Sequence, residues 1–194
     1  MNNIVLFASG SGTNAENIAL FFKNDPDTEV SYILCNRPDA GVLERAKRLK
    51  IKTKVFDRED FFTSSRIHNF LLEVSPDLIV LAGFLWLVPS NIVEAFSQKI
   101  VNIHPALLPK YGGKGMYGHY VHQSVLQNGE KESGITIHYV NDRYDDGDII
   151  FQAHCPVEEG DSPESLARKI HQLEYEHYPR VIAEVLVQQK QNQD

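Results

Sequence analysis

Residues 4–21 read IVLFASGSGTNAENIALF, and this stretch decides the fold class. Its first five residues, Ile4–Ala8, are all apolar, which is typical of a strand buried on both faces of a parallel sheet. A turn rich in glycine and serine follows, and a helical stretch then runs from about Asn14 to Lys23. A strand, a tight turn and a helix in this order predict the first unit of an α/β fold.

The same alternation continues along the chain. Further strands are predicted at Val30–Cys35, Thr53–Phe56, Leu78–Ala82, Ile100–His104, Ile135–Val140 and Ile149–Ala153. Helices are predicted at Gly41–Leu49, Phe61–Val74, Ser90–Phe96 and His119–Gln127, and a last helix has Pro163 as its first residue. Pro179 should kink or split this last helix. We therefore expect a Rossmann-like α/β fold with a mostly parallel seven-stranded sheet, an antiparallel element near the C-terminal part, and helices on both faces.

Length, charge and cysteine content narrow the class of protein. The chain has 194 residues, which suits one domain, expected over residues 1–187 with a frayed tail over residues 188–194. The net charge of −7 disfavours a role in coating nucleic acid. No apolar run approaches the roughly 20 residues of a membrane span, and no signal peptide is visible. Cys35 and Cys155 form no C-x-x-C motif, so a cytoplasmic location is expected.

The turn at residues 9–14, SGSGTN, is a candidate phosphate site. Glycines let a backbone approach an anion closely, and the helix that follows offers unpaired N–H groups at the positive end of its dipole. The turn also fits the G-x-G-x-x-A dinucleotide pattern. An acidic residue that would hold the ribose of NAD is missing after the second strand, where Asn36 and Arg37 stand. NAD is therefore disfavoured, while NADP, held through Arg37, and a plain turn without a ligand stay open.

Asn102 and His104 lie two residues apart at the end of the fifth predicted strand, so they point to one face at the carboxyl edge of the sheet. A later turn carries four acidic residues around Gly147 and can bring one carboxylate to His104. An amide can stabilise a tetrahedral oxyanion, an imidazole can move protons, and a carboxylate can orient the imidazole and raise its pKa. These groups suit acyl transfer with direct attack by an amine. The alternative is a packed histidine beside a solvated acidic loop.

Residues 102–111, NIHPALLPKY, resemble the N-I-H-P-(S/A)-L-L-P signature of folate-dependent formyltransferases. Residues 79–84, IVLAGF, resemble the strand and turn before the folate loop of that family, and residues 145–147, DDG, resemble its D-x-G turn. With the turn at residues 9–14 and Glu174 ahead of a Tyr-Pro pair, the match covers nearly the whole chain in order.

The resemblance implies that a formyl group passes from 10-formyltetrahydrofolate to the amine of glycinamide ribonucleotide, without a metal. By matching positions, the catalytic residues would be Asn102, His104 and Asp145. The ribonucleotide would be held by Gly12, Thr13, Asn14 and Glu174. The folate would be held by Arg58, Leu85, Trp86, Leu87, Val88 and Asn102. The implied partners are small-molecule substrates rather than nucleic acid or membrane, and the chain is expected to be a monomer or a homodimer.

The sequence departs from the family pattern at several positions. Trp86 stands where the family often has arginine, and Tyr175 stands where it commonly has histidine. The loop at residues 111–118, YGGKGMYG, is longer than usual, and Arg58 is placed across a change of length. His138 is interpreted as a packed or edge residue.

The sequence is also compatible with four other functions. Methionyl-tRNA formyltransferase shares the Asn–His–Asp core, but it carries a further C-terminal domain, and a charge of −7 suits tRNA binding poorly. Formyltetrahydrofolate deformylase would carry an N-terminal regulatory domain. A sugar-nucleotide N-formyltransferase and a non-catalytic module that binds NADP or another nucleotide are the remaining alternatives.

Overall fold

A computed structural model describes residues 1–191, and its centre is one seven-stranded sheet. The strands are β1 (Asn2–Ala8), β2 (Thr28–Cys35), β3 (Lys52–Val55), β4 (Leu78–Leu81), β5 (Ile100–His104), β6 (Glu132–Tyr139) and β7 (Ile149–Pro156). Their order across the sheet is β3-β2-β1-β4-β5-β6-β7. The first five strands pair in parallel, β6 is antiparallel to β5, and β7 is antiparallel to β6. The predicted fold class is confirmed.

Within residues 1–191, seven helices cover the two faces of this sheet: α1 (Thr13–Phe21), α2 (Gly41–Leu49), α3 (Arg58–Phe62), α4 (Arg66–Val74), α5 (Ser90–Ala95), α6 (His119–Gln127) and α7 (Pro163–Gln191). Alternate residues of a strand point to opposite faces. Accordingly Ile4, Leu6 and Ala8 pack in the core under α1, α2, α6 and α7, while Val5 and Phe7 pack in the core under α3, α4 and α5. No helix within residues 1–191 is long and apolar enough to cross a membrane.

The prediction of one helix over Phe61–Val74 is wrong, because two helices occupy this region. Asp57 and Asp60 form a capping box, in which each side chain accepts from the other's backbone N–H, and α3 therefore begins early, at Arg58. Ser65, with φ 57°, adopts a left-handed conformation ahead of α4. A residue in this conformation interrupts the helical backbone.

Pro179 does not split the last helix, which runs unbroken from Pro163 to Gln191. A proline inside a helix leaves the carbonyl four residues earlier without its usual donor. Here that carbonyl belongs to Tyr175, and it accepts a hydrogen bond of 2.9 Å from the side-chain amide of Asn17. The helix also continues past the expected boundary at residue 187. Residues 192–194 of the predicted tail lie outside the described residues.

The strand order reverses between β1 and β4, and this reversal positions the site. In open α/β sheets a crevice forms at such a point, outside the carboxyl ends of the strands. The loops that follow β1 and β4 are tied together here. The backbone N–H of Ser9 donates to the Gly83 carbonyl at 3.1 Å, and the backbone N–H of Leu85 donates to the Ser9 hydroxyl at 3.1 Å.

Candidate active site

A cavity of about 560 Å³ opens at the carboxyl ends of β1, β4 and β5. This is the volume of an ordinary small-molecule site. Its wall includes the turn at residues 10–14, the loop at residues 81–88, the strand end at residues 102–105, the loop at residues 113–118, the β6–β7 hairpin around Asp145, and α7 at His171 and Glu174. Residues far apart in sequence therefore meet around one space.

Asn102 is held by a histidine from the neighbouring antiparallel strand. The register pairs Asn102 with His138, and the amide Nδ2 of Asn102 lies 3.1 Å from Nε2 of His138. Nδ1 of His138 lies 2.8 Å from the Tyr139 carbonyl, which can only accept, so Nδ1 carries the proton and Nε2 accepts from Asn102. One amide proton of Asn102 is thereby used, and the second is left for a ligand.

His104 is fixed by the loop that follows it. Its Nε2 lies 2.7 Å from the Tyr111 carbonyl oxygen, so Nε2 carries a proton and donates it. Its Nδ1 lies 3.5 Å from Oδ2 of Asp145. The nitrogen that can gain or lose a proton during a reaction is therefore Nδ1, directly beside a carboxylate.

Burial controls the charge of both histidines in the site. It lowers the pKa of His104, and the Asp145 charge and the Tyr111 carbonyl oppose this effect without reversing it. Burial likewise lowers the pKa of His138. Asp145 raises the pKa of His104, as expected, but desolvation of the imidazole outweighs this attraction, so the net shift is downward.

The β6–β7 hairpin brings Asp145 to the histidines. Asp145 has φ 53°, and its Oδ2 accepts the backbone N–H of Gly113 at 2.9 Å. A Cβ at Gly147 would lie 1.8 Å from the Tyr139 carbonyl oxygen, so only glycine lets the turn fold this tightly. The glycine of the D-x-G sequence is therefore required for steric reasons. Asp145, through its bond to Gly113, also joins the hairpin to the loop at residues 113–118.

The turn after β1 has the geometry of an anion site. Gly12, with φ 76°, precedes α1, and no side chain caps the helix start. The first N–H groups of a helix have no acceptor within the helix. A Cβ at Gly12 would lie 2.4 Å from the Val42 side chain, so the position requires glycine both for its conformation and for the close packing of α2.

Two polar side chains, those of Asn14 and Glu174, meet beside this turn. Nδ2 of Asn14 donates to Oε2 of buried Glu174 at 2.9 Å, while Oδ1 of Asn14 is buried without a partner. Burial raises the pKa of Glu174, and the Asn14 bond opposes this. His122 is also buried at the cavity, with an unpartnered Nδ1, and burial lowers its pKa to about 4. Buried polar atoms are nearly always hydrogen-bonded, so each of these two atoms can form a hydrogen bond with a ligand.

The loop after β4 supplies an aromatic wall. Trp86 lies 6.0 Å from Phe56, 6.0 Å from Phe61 and 6.2 Å from Phe84, measured between ring centroids. The guanidinium of Arg58 lies 5.2 Å from the Trp86 centroid, a cation–π distance. The position therefore carries a flat apolar surface with a cation against it.

The chain is similar to known proteins over nearly its full length. The model of the formyl transferase family matches residues 2–182. Phosphoribosylglycinamide formyltransferase of Bacillus subtilis is 34% identical over 191 residues, which cover 96% of this chain and 95% of that protein. The chloroplastic phosphoribosylglycinamide formyltransferase of Arabidopsis thaliana is 36% identical over 210 residues, which cover 98% of this chain and 72% of that protein. A crystal structure of glycinamide ribonucleotide transformylase 1 from Geobacillus kaustophilus superimposes with a TM-score of 0.86 at 36% identity, covering 96% of this chain and 99% of that one.

The chain belongs to the formyl transferase family. The resemblance recognised in the sequence is thereby confirmed, and membership of this family decides against a non-catalytic module that binds NADP. Within residues 1–191, no group of three histidine, cysteine or acidic side chains is arranged to hold a metal ion.

In this formyl transferase the cavity brings together nearly every residue that the sequence selected. The predicted residues that line it are Gly12, Thr13, Asn14, Leu85, Trp86, Leu87, Val88, Asn102, His104, Asp145 and Glu174. Arg58 does not line it, but its guanidinium contacts the ring of Trp86, which does. The roles assigned to these residues stay predictions.

His138 is buried, in line with its interpretation as a packed residue, but it also belongs to the candidate site. It contacts Asn102, and its Nε2 lies 3.8 Å from Oδ1 of Asp145. The available signal was the alternation along β6. This alternation gives the face of the sheet on which His138 lies. Its position opposite Asn102 follows only from the antiparallel register of β5 and β6.

Proposed function

We propose that this formyl transferase passes the formyl group of 10-formyltetrahydrofolate to the amine of 5-phosphoribosylglycinamide, giving formylglycinamide ribonucleotide and tetrahydrofolate. The observation that carries the proposal is the shared cavity. Its wall combines a glycine turn suited to a phosphate, the side chains of Asn102 and His104, and an aromatic loop suited to a pterin. The names of the relatives from Bacillus subtilis and Arabidopsis thaliana support the same reaction.

Asn102 would stabilise the oxyanion. The substrate amine attacks the formyl carbon, and the carbonyl oxygen becomes negatively charged in the tetrahedral intermediate. The amide of Asn102 has one proton bound by His138 and a second proton available for this oxygen. Because His138 fixes the rotamer of Asn102, the donor is oriented before the substrate arrives.

His104 would move the proton. The attacking amine loses a proton as the new C–N bond forms, and the folate nitrogen must gain one as the old C–N bond breaks. Nδ1 of His104 is neutral before the reaction, because burial lowers the pKa, so it can accept the proton and return it to the leaving nitrogen. The imidazolium formed in between lies beside Asp145 and is stabilised by its charge.

The ribonucleotide would bind along α1 and α7. Its phosphate would take the N–H groups at Gly12, Thr13 and Asn14, and its ribose hydroxyls would reach Glu174 and the unpartnered Oδ1 of Asn14. A ribose hydroxyl can donate to Oδ1 of Asn14, so this buried atom would gain a partner.

The folate would bind along residues 85–88. Leu85 and Trp86 offer an apolar face for the pterin and the adjoining aromatic ring, and backbone groups of the loop offer hydrogen bonds. We place Arg58 near the tail of the folate, held by its contacts with Trp86 and Phe62.

The proposal also covers the extent of the domain, the cellular location, the oligomeric state and the partners. We propose a single formyltransferase domain over residues 1–187, supported by the one continuous sheet, and a cytoplasmic location, supported by two free cysteines. A monomer or a homodimer is the proposed state. The partners are two small molecules, and the net charge of −7 favours neither tRNA nor a membrane surface.

One assay tests the reaction. Labelled 10-formyltetrahydrofolate is supplied with equal concentrations of 5-phosphoribosylglycinamide, a sugar-nucleotide amine or methionyl-tRNA, and the labelled product is identified. The proposal predicts label on the ribonucleotide and at most traces on the other amines. Preferential labelling of either rival amine, or release of labelled formate in the presence of the ribonucleotide, would contradict it.

A further inference from the structure

Helix α2 holds the turn after β1 at two consecutive peptide groups. The Gly10 carbonyl accepts the backbone N–H of Val42 at 3.1 Å, and the Ser11 carbonyl accepts the Nε–H of Arg45 at 2.8 Å. In a trans peptide, a carbonyl and the N–H of the next residue point in opposite directions. The N–H groups of Ser11 and Gly12 therefore point away from α2.

The side away from α2 is the cavity. Gly10, Ser11 and Gly12 all line it, whereas no residue of α2 lines it in the part of the chain that the structure describes. The closeness of Val42 to the Cβ position of Gly12 shows that α2 packs directly against the opposite side of the turn. Two N–H groups thus face the space in which a phosphate would bind.

The start of α1 also carries an unfavourable charge for an anion. Glu16 lies in its first turn, where a carboxylate competes with a bound phosphate for the positive end of the helix dipole. Arg45 and Arg48 both donate to this carboxylate. These bonds hold the pKa of Glu16 below its ordinary value, so the carboxylate stays ionised and the two guanidinium groups offset its charge.

We propose that Arg45 is a positioning residue for phosphate binding. With one nitrogen it fixes the Ser11 carbonyl, which turns the Gly12 N–H toward the phosphate, and with another it neutralises Glu16. A guanidinium can make both contacts at once because its donors diverge in a rigid plane, which a lysine ammonium cannot reproduce. The inference rests on the proposed function, because the phosphate is that of its ribonucleotide substrate, and Arg45 itself does not touch the substrate.

The chain provides a matched control. Arg45→Met removes the contacts with Ser11 and Glu16, whereas Arg48→Met removes a contact with Glu16 and leaves the Ser11 bond in place. We expect Arg45→Met to raise the KM for 5-phosphoribosylglycinamide about tenfold, the effect of losing a charged hydrogen bond, with the KM for 10-formyltetrahydrofolate unchanged. Arg48→Met should raise the ribonucleotide KM much less, and Arg45→Lys should fall between wild type and Arg45→Met.

A second readout does not depend on turnover. Binding of inorganic phosphate, measured by isothermal titration calorimetry, should weaken more in Arg45→Met than in Arg48→Met. If Arg45→Met does not fold, Arg45→Lys replaces it in both measurements. Adding Glu16→Gln to Arg45→Met should recover part of the phosphate binding, because it removes the uncompensated charge.

Three results would overturn the proposal: equal rises in the KM of both substrates, equal effects of the Arg45 and Arg48 variants, or unchanged phosphate binding in Arg45→Met. A wild-type enzyme that does not accept 5-phosphoribosylglycinamide would instead overturn the proposed function. The phosphate titration would still decide the role of Arg45 in that case.

Discussion

Nε2 of His104 donates to the carbonyl oxygen of Tyr111 at 2.7 Å, and this contact decides which nitrogen of the imidazole is free for proton transfer. A carbonyl cannot donate, so the neutral ring has its lone pair on Nδ1. That lone pair lies 3.5 Å from Oδ2 of Asp145, where a newly formed imidazolium finds an ion-pair partner. The loop after β5 thus prepares His104 to act first as a base and then as an acid.

The first prediction concerns the pH dependence of turnover. Burial holds the pKa of His104 below its ordinary value of 6.5, and Asp145 partly opposes this. His104 accepts a proton only when it is neutral, so kcat should fall on the acid side of its pKa, in a limb that lies below pH 6.5. Asp145→Asn removes the charge, which should move this limb to still lower pH and reduce the plateau at least about tenfold.

The matched control for this variant is Asp146→Asn. Asp146 is exposed in the same turn and pairs with Arg143. Its pH profile should coincide with that of the wild type. Two results would show that Asp145 has only a structural role. The acid limb of kcat in Asp145→Asn could lie at the same pH as in the wild type, or it could be shifted equally in Asp145→Asn and Asp146→Asn.

The second prediction concerns Gly12. Gly12→Ala forces a residue with a Cβ into the left-handed conformation, which costs about 1–2 kcal/mol. The new Cβ also clashes with Val42. The Tm should fall and the KM for the ribonucleotide should rise. Val42→Ala does not relieve the clash, because the Cβ and Cα of residue 42 would still lie 2.5 and 2.8 Å from the new Cβ, so the double variant should be no more stable than expected from the two single changes.

A ribonucleotide KM that stays at the wild-type value in folded Gly12→Ala would count against a phosphate at this turn. Val42→Ala alone is the control, since it leaves Gly12 and its conformation intact.

The third prediction concerns the aromatic loop. Trp86→Ala removes the flat face proposed for the pterin, and it leaves Arg58 without one ring of its cation–π contact. The KM for 10-formyltetrahydrofolate should rise about tenfold, as expected for a lost aromatic contact, while the KM for the ribonucleotide stays unchanged. Phe21→Ala, at an exposed aromatic residue of α1, should leave both constants unchanged. Equal changes in the two constants for Trp86→Ala would contradict a folate-specific role.

The features best predicted from the sequence depend on residues that lie close together in the chain. Asn102 and His104 share a strand face because they are two apart, and the strand ends at the ligand-binding edge because the sheet is parallel. The glycines of the first turn were recognisable for the same reason. Pattern and spacing were therefore enough to predict the fold class, while the choice of Asn102 and His104 over a packed histidine also needed the family resemblance.

Contacts between distant segments could not be read in this way. The position of His138 opposite Asn102 depends on the antiparallel register of β5 and β6, which spacing within either strand does not specify. The unbroken α7 depends on Asn17, which binds the carbonyl that Pro179 leaves free. The net lowering of the pKa of His104 depends on burial, which overrides the visible carboxylate.

The fourth prediction concerns stability at low pH. Burial, with smaller contributions from His171 and His119, lowers the pKa of His122 to about 4, from an ordinary value of 6.5. As pH falls below 6.5 the unfolded chain binds a proton that the folded protein still excludes, so stability is lost until the folded pKa is passed. His122→Gln should show a smaller drop in Tm between about pH 7 and about pH 5 than the wild type does.

His154→Gln is the comparison for this measurement, because His154 is a half-exposed histidine on β7. Its Tm should fall with pH as the wild-type Tm does. If the Tm of His122→Gln falls with pH as much as the wild-type Tm does, the burial of neutral His122 does not cause the loss of stability in acid.

The central claim is that the amide of Asn102 and the imidazole of His104 act directly on formyl transfer. The measurement that tests it is the single-turnover rate with bound 10-formyltetrahydrofolate and 5-phosphoribosylglycinamide, in Asn102→Ala, His104→Ala and the control His154→Ala. We predict losses of about 10²–10³-fold in the first two, with substrate binding and Tm near wild type, and no loss in the control. Single-turnover rates close to the wild-type rate in folded Asn102→Ala and His104→Ala would contradict the account.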